Sequence, residues 1–202
     1  MESARILIVE DNLLEGEHLK LHLQQAGHRV AALVTSGEEA LARTAEGGID
    51  LMIIDIVLAG EIDGISAVQQ IHEKYDIPVI YLTAHVSDEL LIRAEQTRPF
   101  AYLLKPYRQR EMEFTVSMSL TRAQIERELT VQKLAAETEL LQAGAIIQYT
   151  NEGIMLTNTE NVIISVNPAF THITGYDAVD VIGRPAAFLS SGKHERAFYS
   201  EM

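Results

Sequence analysis

Apolar residues along this chain gather into short dense runs, separated by longer stretches at helical spacing. Leu51-Met52-Ile53-Ile54 runs straight into Asp55, and turn-forming Gly60 and Gly64 follow soon after. A short apolar run bounded by turn signals reads as a strand buried on both faces, as in a parallel sheet. Ile6-Leu7-Ile8-Val9 repeats the pattern and ends in Glu10-Asp11. Residues 29–34 form another run, Pro78-Val79-Ile80-Tyr81-Leu82 ends at Thr83, and Ala101-Tyr102-Leu103-Leu104 ends at Lys105-Pro106. Between the runs, leucines from Leu13 to Leu23 predict a helix ending near Gly27. Ser36 predicts an N-cap for a helix through Glu46, because its hydroxyl can accept from free backbone N–H groups. Ile65, Val68 and Ile71 mark a third helix, residues 87–97 a fourth, and a fifth starts near Arg108. Strands alternating with helices in this way predict a doubly wound α/β fold on a five-stranded parallel sheet.

The fifth helix has no proline or glycine before Gly144, and Ile125, Leu129, Leu134 and Leu141 supply apolar positions along it. Gln132 and Glu139 interrupt its heptad register, so the expectation is a linker helix that pairs with itself without a clean coiled-coil seam. From Ile146 the composition changes to strand-and-turn chemistry, with residues 153–157 and 162–166 reading as two strands joined by a short polar turn. Asn167-Pro168 then opens a short helix that Gly175 ends. The expected domains are therefore residues 1–120, a helical linker over 121–145, and a smaller α+β module over 146–202.

Composition narrows the function classes. The chain has no cysteine, which excludes disulfides, thiolate metal sites and thiol nucleophiles. A net charge of −13 argues against nonspecific binding to DNA or to anionic lipid. No apolar run approaches bilayer length, and the amino terminus lacks a basic region before an apolar stretch. These features lead us to expect a cytoplasmic protein with no direct nucleic-acid or membrane contact. The seven histidines show no shared metal-ligand spacing, and His18 with His22 reads as a solvated helix face.

In a parallel sheet all strand ends emerge on one edge, which here collects Glu10, Asp11, Asp55, Thr83 and Lys105. Three carboxylates gathered together repel one another and need a cation to remain ionised. Hard oxygen ligands with room for water suit Mg²⁺, and a carboxylate beside such a metal can act as nucleophile toward a phosphoryl group. Lys105 offers a point charge to a phosphoryl oxygen, and the Thr83 hydroxyl a hydrogen bond.

This constellation resembles the phosphorylation receiver domain of two-component response regulators, whose fold is flavodoxin-like. The resemblance spans residues 4–120 and rests on Glu10-Asp11, Asp55, Thr83-Ala84 and Lys105-Pro106 in that order. It implies that Asp55 takes a phosphoryl group from a sensor histidine kinase or phosphotransfer protein. It also implies Mg²⁺ held by Glu10, Asp11, Asp55 and the backbone carbonyl of Val57. Thr83 and Tyr102 would be the switch residues, and Lys105-Pro106 would be a cis peptide. The family commonly has Asp at position 10, and a proline in a loop one residue shorter than residues 56–64. Val57 and His85 flank the approach of attacking water, and Val57 cannot orient it, so slow self-dephosphorylation is expected.

Asn151-Glu152-Gly153-Ile154-Met155, Val166-Asn167-Pro168-Ala169-Phe170, Ile173-Thr174-Gly175-Tyr176, Ile182-Gly183-Arg184-Pro185 and the run from Leu189 to His194 resemble the first half of a PAS domain. Further antiparallel strands are absent, so the chain reads as a piece of a longer protein with a partial PAS module. By analogy, such an arrangement resembles regulators that end in cyclic-di-GMP synthesis or breakdown domains, with hybrid sensor kinases as the second alternative. A rival reading is a Mg²⁺-dependent aspartyl-phosphate phosphatase for a small molecule. Those enzymes generally carry a general-acid aspartate at the position of Val57. A flavodoxin-like nucleotide binder would need a glycine-rich phosphate loop where Glu10-Asp11 stands.

Overall fold

In the computed structural model, residues 3–84 and 88–189 are described. The first 105 residues build a parallel sheet from β1 (Arg5–Val9), β2 (Arg29–Val34), β3 (Leu51–Asp55), β4 (Val79–Thr83) and β5 (Ala101–Leu104), in the order β2-β1-β3-β4-β5. Successive side chains of a strand point to opposite faces, and both faces here are apolar. Leu7, Val9, Met52, Ile54 and Tyr81 face α2 (Gly37–Ala45), α3 (Gly64–His72) and α4 (Asp88–Gln96), meeting Ala40, Val68, Ile71 and Ala94. Ile6, Ile8, Leu51, Ile53, Ile80 and Leu82 face α1 (Leu13–Gln25) and the start of α5 (Gln109–Tyr149), meeting Leu19, Leu23, Met112 and Val116. Two interleaved sets along one strand thus fill two cores, which is why these runs are apolar without alternation.

The helix starts follow their side chains. The Ser36 hydroxyl accepts from the Glu39 N–H at 3.2 Å, while the Glu39 carboxylate accepts from the Thr35 N–H at 2.8 Å. Asn12 caps α1 and Asp63 caps α3 in the same manner. The first residue expected in α4, Ser87, lies outside the described residues, as does His85.

α5 departs from expectation at its far end. It continues through Gly144 to Tyr149, past the expected linker boundary at residue 145. A glycine inside a helix costs only about 1 kcal/mol relative to alanine, and Gly144 does not take the left-handed backbone that would end the helix.

The chain divides into two compact units, Met1–Leu129 and Thr130–Met202. In the second, β6 (Met155–Thr157) and β7 (Ile163–Val166) form an antiparallel pair. The Asn158 side chain closes their turn by accepting from the Glu160 and Val162 N–H groups. Asn167 is the hub of this unit. Its Oδ1 accepts from the Phe170 and Ile154 N–H groups, so it caps α6 (Pro168–Thr174) and anchors the entry to β6. Gly175 ends α6 with φ 76°. Ile163, Phe170 and Val181, the last from α7 (Ala178–Val181), make a small core. Residues 190–194 of the expected PAS resemblance lie outside the described residues.

Candidate functional site at the carboxyl edge of the sheet

Strand register brings the expected residues level. Val9 pairs with Ile54, so Glu10 and Asp55 emerge side by side, and Thr83 lies opposite Leu104 just before Lys105. Glu10, Asp11, Asp55, Val57, Thr83 and Lys105 all line one cleft of about 280 Å³.

Lys105 organises this cleft. Its Nζ lies 2.6 Å from Glu10 Oε2, 2.6 Å from Asp55 Oδ2 and 2.8 Å from Glu15 Oε2. Burial alone would lower its pKa, but the bonds to Asp55, Glu10 and Glu15 outweigh that and raise it well above the ordinary lysine value. Burial pushes the Glu10 carboxyl up, against the lowering pull of Lys105. Asp55 spends its other oxygen, Oδ1, on the Val57 N–H at 2.9 Å. Asp11 accepts from the Ala59 N–H at 3.1 Å and so ties β1 to the loop after β3. Glu38 of α2 accepts from the Glu61 and Ile62 N–H groups and holds the far side of that loop. The long loop therefore has a defined path despite lacking the family's proline.

Thr83 is buried, and its hydroxyl finds no hydrogen-bond partner among the described residues. A buried donor without a partner costs on the order of 1–3 kcal/mol, so an oxygen-rich ligand in the cleft would relieve it. Tyr102 is 36 % exposed and stacks on buried Tyr81, with ring centroids 5.9 Å apart. The Tyr81 hydroxyl lies 3.0 Å from Thr97 Oγ1 at the end of α4. The Lys105-Pro106 peptide is cis.

The donor chemistry suits Mg²⁺. Glu10, Asp11, Glu15 and Asp55 set four carboxylates around one ammonium, which leaves an excess of hard negative oxygens. Among the described residues no three carboxylate or imidazole groups already close on one metal-sized point. Lys105 stands between Glu10 and Asp55, and Asp11 is turned onto Ala59.

Three participants escape a reading of the sequence. Glu15 binds Lys105 across the fold, and its only local signal is an acidic residue one helical turn after Asp11. Gly64 lies so near the end of β3 that an added Cβ would overlap the Asp55 carbonyl oxygen. Asp63 caps α3 through Ser66 and pairs with Arg93 of α4 at 2.9 Å.

Comparison with known proteins agrees with this geometry. The family model for the response regulator receiver domain matches residues 6–117, and one for the PAS domain matches residues 151–202. The transcriptional regulatory protein ResD of Bacillus subtilis is 30% identical over 119 residues, covering 59% of this chain and 49% of ResD. AfsQ1 of Streptomyces coelicolor, also a transcriptional regulatory protein, is 30% identical over 155 residues, covering 77% of this chain and 67% of its own. This chain thus spans about half the length of ResD. The receiver domain of a modulated diguanylate cyclase from Desulfovibrio desulfuricans superposes with a TM-score of 0.59 at 28% identity, covering 62% of this chain and 99% of that one. The N-terminal domain of a response regulator/sensory box/GGDEF three-domain protein from Carboxydothermus hydrogenoformans gives 0.57 at 26%, covering 60% and 98%. Receiver domains are signalling domains of two-component systems and generally bind Mg²⁺ for phosphorylation. By its receiver match and its fold, this chain belongs to the response regulator receiver family, with a PAS domain following the receiver.

Proposed function

We propose that Asp55 accepts a phosphoryl group from a phosphohistidine on a sensor histidine kinase or phosphotransfer protein. The observation that carries this reading is the pairing of Asp55 with Lys105 at 2.6 Å beside the unpartnered Thr83 hydroxyl. An Asp55 oxygen attacks phosphorus, the P–N bond breaks, and the imidazole nitrogen keeps the electron pair and takes up a proton. Lys105 follows the new negative charge onto a phosphoryl oxygen, and the Thr83 hydroxyl donates to another. Glu10, Asp11, Asp55 and the Val57 carbonyl would hold Mg²⁺, which supplies the positive charge that lets phosphoryl oxygens approach these carboxylates.

The change is passed on by Thr83 and by Tyr102, whose stacking on Tyr81 connects the cleft to α4 through Thr97. From there α5 relays it toward the PAS segment and an output domain, with the chain acting as a cytoplasmic homodimer paired through α5. Cyclic-di-GMP turnover is the output we favour. The Desulfovibrio receiver belongs to a diguanylate cyclase, and the Carboxydothermus protein joins receiver, sensory box and GGDEF domains. Direct contact with nucleic acid or membrane forms no part of this reading. Among the described residues no helix is long and apolar enough to cross a membrane.

The test is acetyl phosphate or beryllofluoride titration with Mg²⁺, comparing the parent with Asp55→Asn. One phosphoryl group per chain, absent in Asp55→Asn and persisting for minutes or longer beside Val57, is the expected result. Sustained turnover of p-nitrophenyl phosphate would instead favour the phosphatase reading.

A further inference from the structure

One face of α5 packs its start onto the receiver sheet through Met112, Val116, Ser119 and Ala123, all buried. The opposite face carries Phe114, Met118, Ile125, Leu129 and Leu140, each more than half exposed, together with exposed Ala136 and Ala143. Including Thr121 and Gln132, these positions step by four, three and four residues: 114, 118, 121, 125, 129, 132, 136, 140 and 143. That is eleven residues for three turns, a period of about 3.67 that keeps one face aligned along a nearly straight helix. Phe114, Ile125 and Ala136 are equivalent positions, as are Met118, Leu129 and Leu140. Both registers place Gln132 in the seam, but a seven-residue register from Ile125 would also bring in Glu139, where the eleven-residue one has Ala136 and Leu140. From Phe114 to Ala143 the stripe runs roughly 45 Å at 1.5 Å per residue.

Charge along its two borders differs in sign. One border holds Ser117, Glu128 and Glu139, and the other Arg122, Lys133 and Gly144. In a parallel pair, each border meets the opposite border of the other helix, so Glu128 faces Lys133 of the second copy, five residues further on. An antiparallel pair would set Glu128 and Glu139 against glutamates. We propose that α5 pairs with α5 of a second copy of this chain as a parallel, in-register, two-stranded coil in an eleven-residue repeat. This rests on the reading of α5 as a pairing linker, and it names the register and direction of that pairing.

The absence of native cysteine makes single-cysteine crosslinking direct. Ile125→Cys, Ala136→Cys and Leu140→Cys are compared with Glu139→Cys and Leu134→Cys in the full chain, under mild oxidation, with the mass followed by sedimentation equilibrium. Disulfide-linked dimers at all three seam positions, forming at least tenfold faster than at the two controls, are expected. Glu139→Cys matching Leu140→Cys would establish a seven-residue register and overturn the proposal. Crosslinking at one seam position alone would mean an antiparallel pair and overturn it as well, as would a trimer mass. A monomer with no crosslink anywhere removes the pairing linker itself, while the phosphoacceptor reading still stands on Asp55.

Discussion

The two units of this chain bury their apolar residues in different ways. In the first, β1, β3 and β4 are covered on both faces by separate cores, and Ile53 and Ile54 point into one each. In the second, β6 and β7 share a core of Ile163, Phe170 and Val181, while Leu156 and Ile164 remain about half exposed. The difference shows what a placed carboxylate requires. Asp55 meets Lys105 at 2.6 Å because the strand behind it is held from above and below. A two-stranded sheet is at best marginal by itself, and the second unit depends on polar anchoring through Asn167.

The strongest test of this contrast is a pair of truncations. Ile53→Ala should cost about 4 kcal/mol in urea unfolding, because a two-faced core cannot collapse around the lost atoms. Ile163→Ala, at an equally buried position, should cost about 2 kcal/mol or less and leave amide protection of β3 unchanged. If both substitutions shifted β3 protection equally, the two units would be one cooperative body and the contrast would be lost.

The strand ends were legible in the sequence because each apolar run stops at the residue that carries chemistry. Nothing comparable marks contacts made between distant elements. Glu15 reaches Lys105 from α1, and Arg93 reaches Asp63 from α4, pairings that only the closed fold brings together. Local spacing also misled in α5. Ile125, Leu129, Leu134 and Leu141 read as one apolar stripe, yet at 100° per residue Leu134 and Leu141 fall on the opposite side from Ile125. Gly64 was legible as a turn signal, whereas its role is the close approach to the Asp55 carbonyl. Gly64→Ala should therefore destabilise the first unit by about 2 kcal/mol, as overpacking does, and slow labelling by acetyl phosphate several-fold. Were the space not needed, alanine at the start of α3 would instead add up to about 1 kcal/mol of helix stability. Urea midpoints read together with labelling rates decide the sign.

The smallest expected effect separates a cap from a simple ion pair. Burial alone would raise the Asp63 carboxyl, but its bonds to Ser66 and to Arg93 outweigh that and hold it below the usual aspartate range. A group whose folded pKa is depressed contributes stability above its unfolded pKa and loses it as the pH falls through the folded value. Asp63→Ala, which removes both the cap and the ion pair, should then cost about 1 kcal/mol at pH 7, and the gap from the parent should narrow as the pH falls below the ordinary aspartate range. Arg93→Ala should cost less, on the order of 0.5 kcal/mol. Water screens its side chain, which is 43% exposed, and the Ser66 N–H keeps its acceptor without it. The second unit offers the control, since Asn167 caps α6 with no titrating group. Asn167→Ala should lower the stability of that unit by the same amount at either pH. A pH-dependent Asn167→Ala penalty, or equal penalties for Arg93→Ala and Asp63→Ala, would place the origin of the effect in charge and not in the cap.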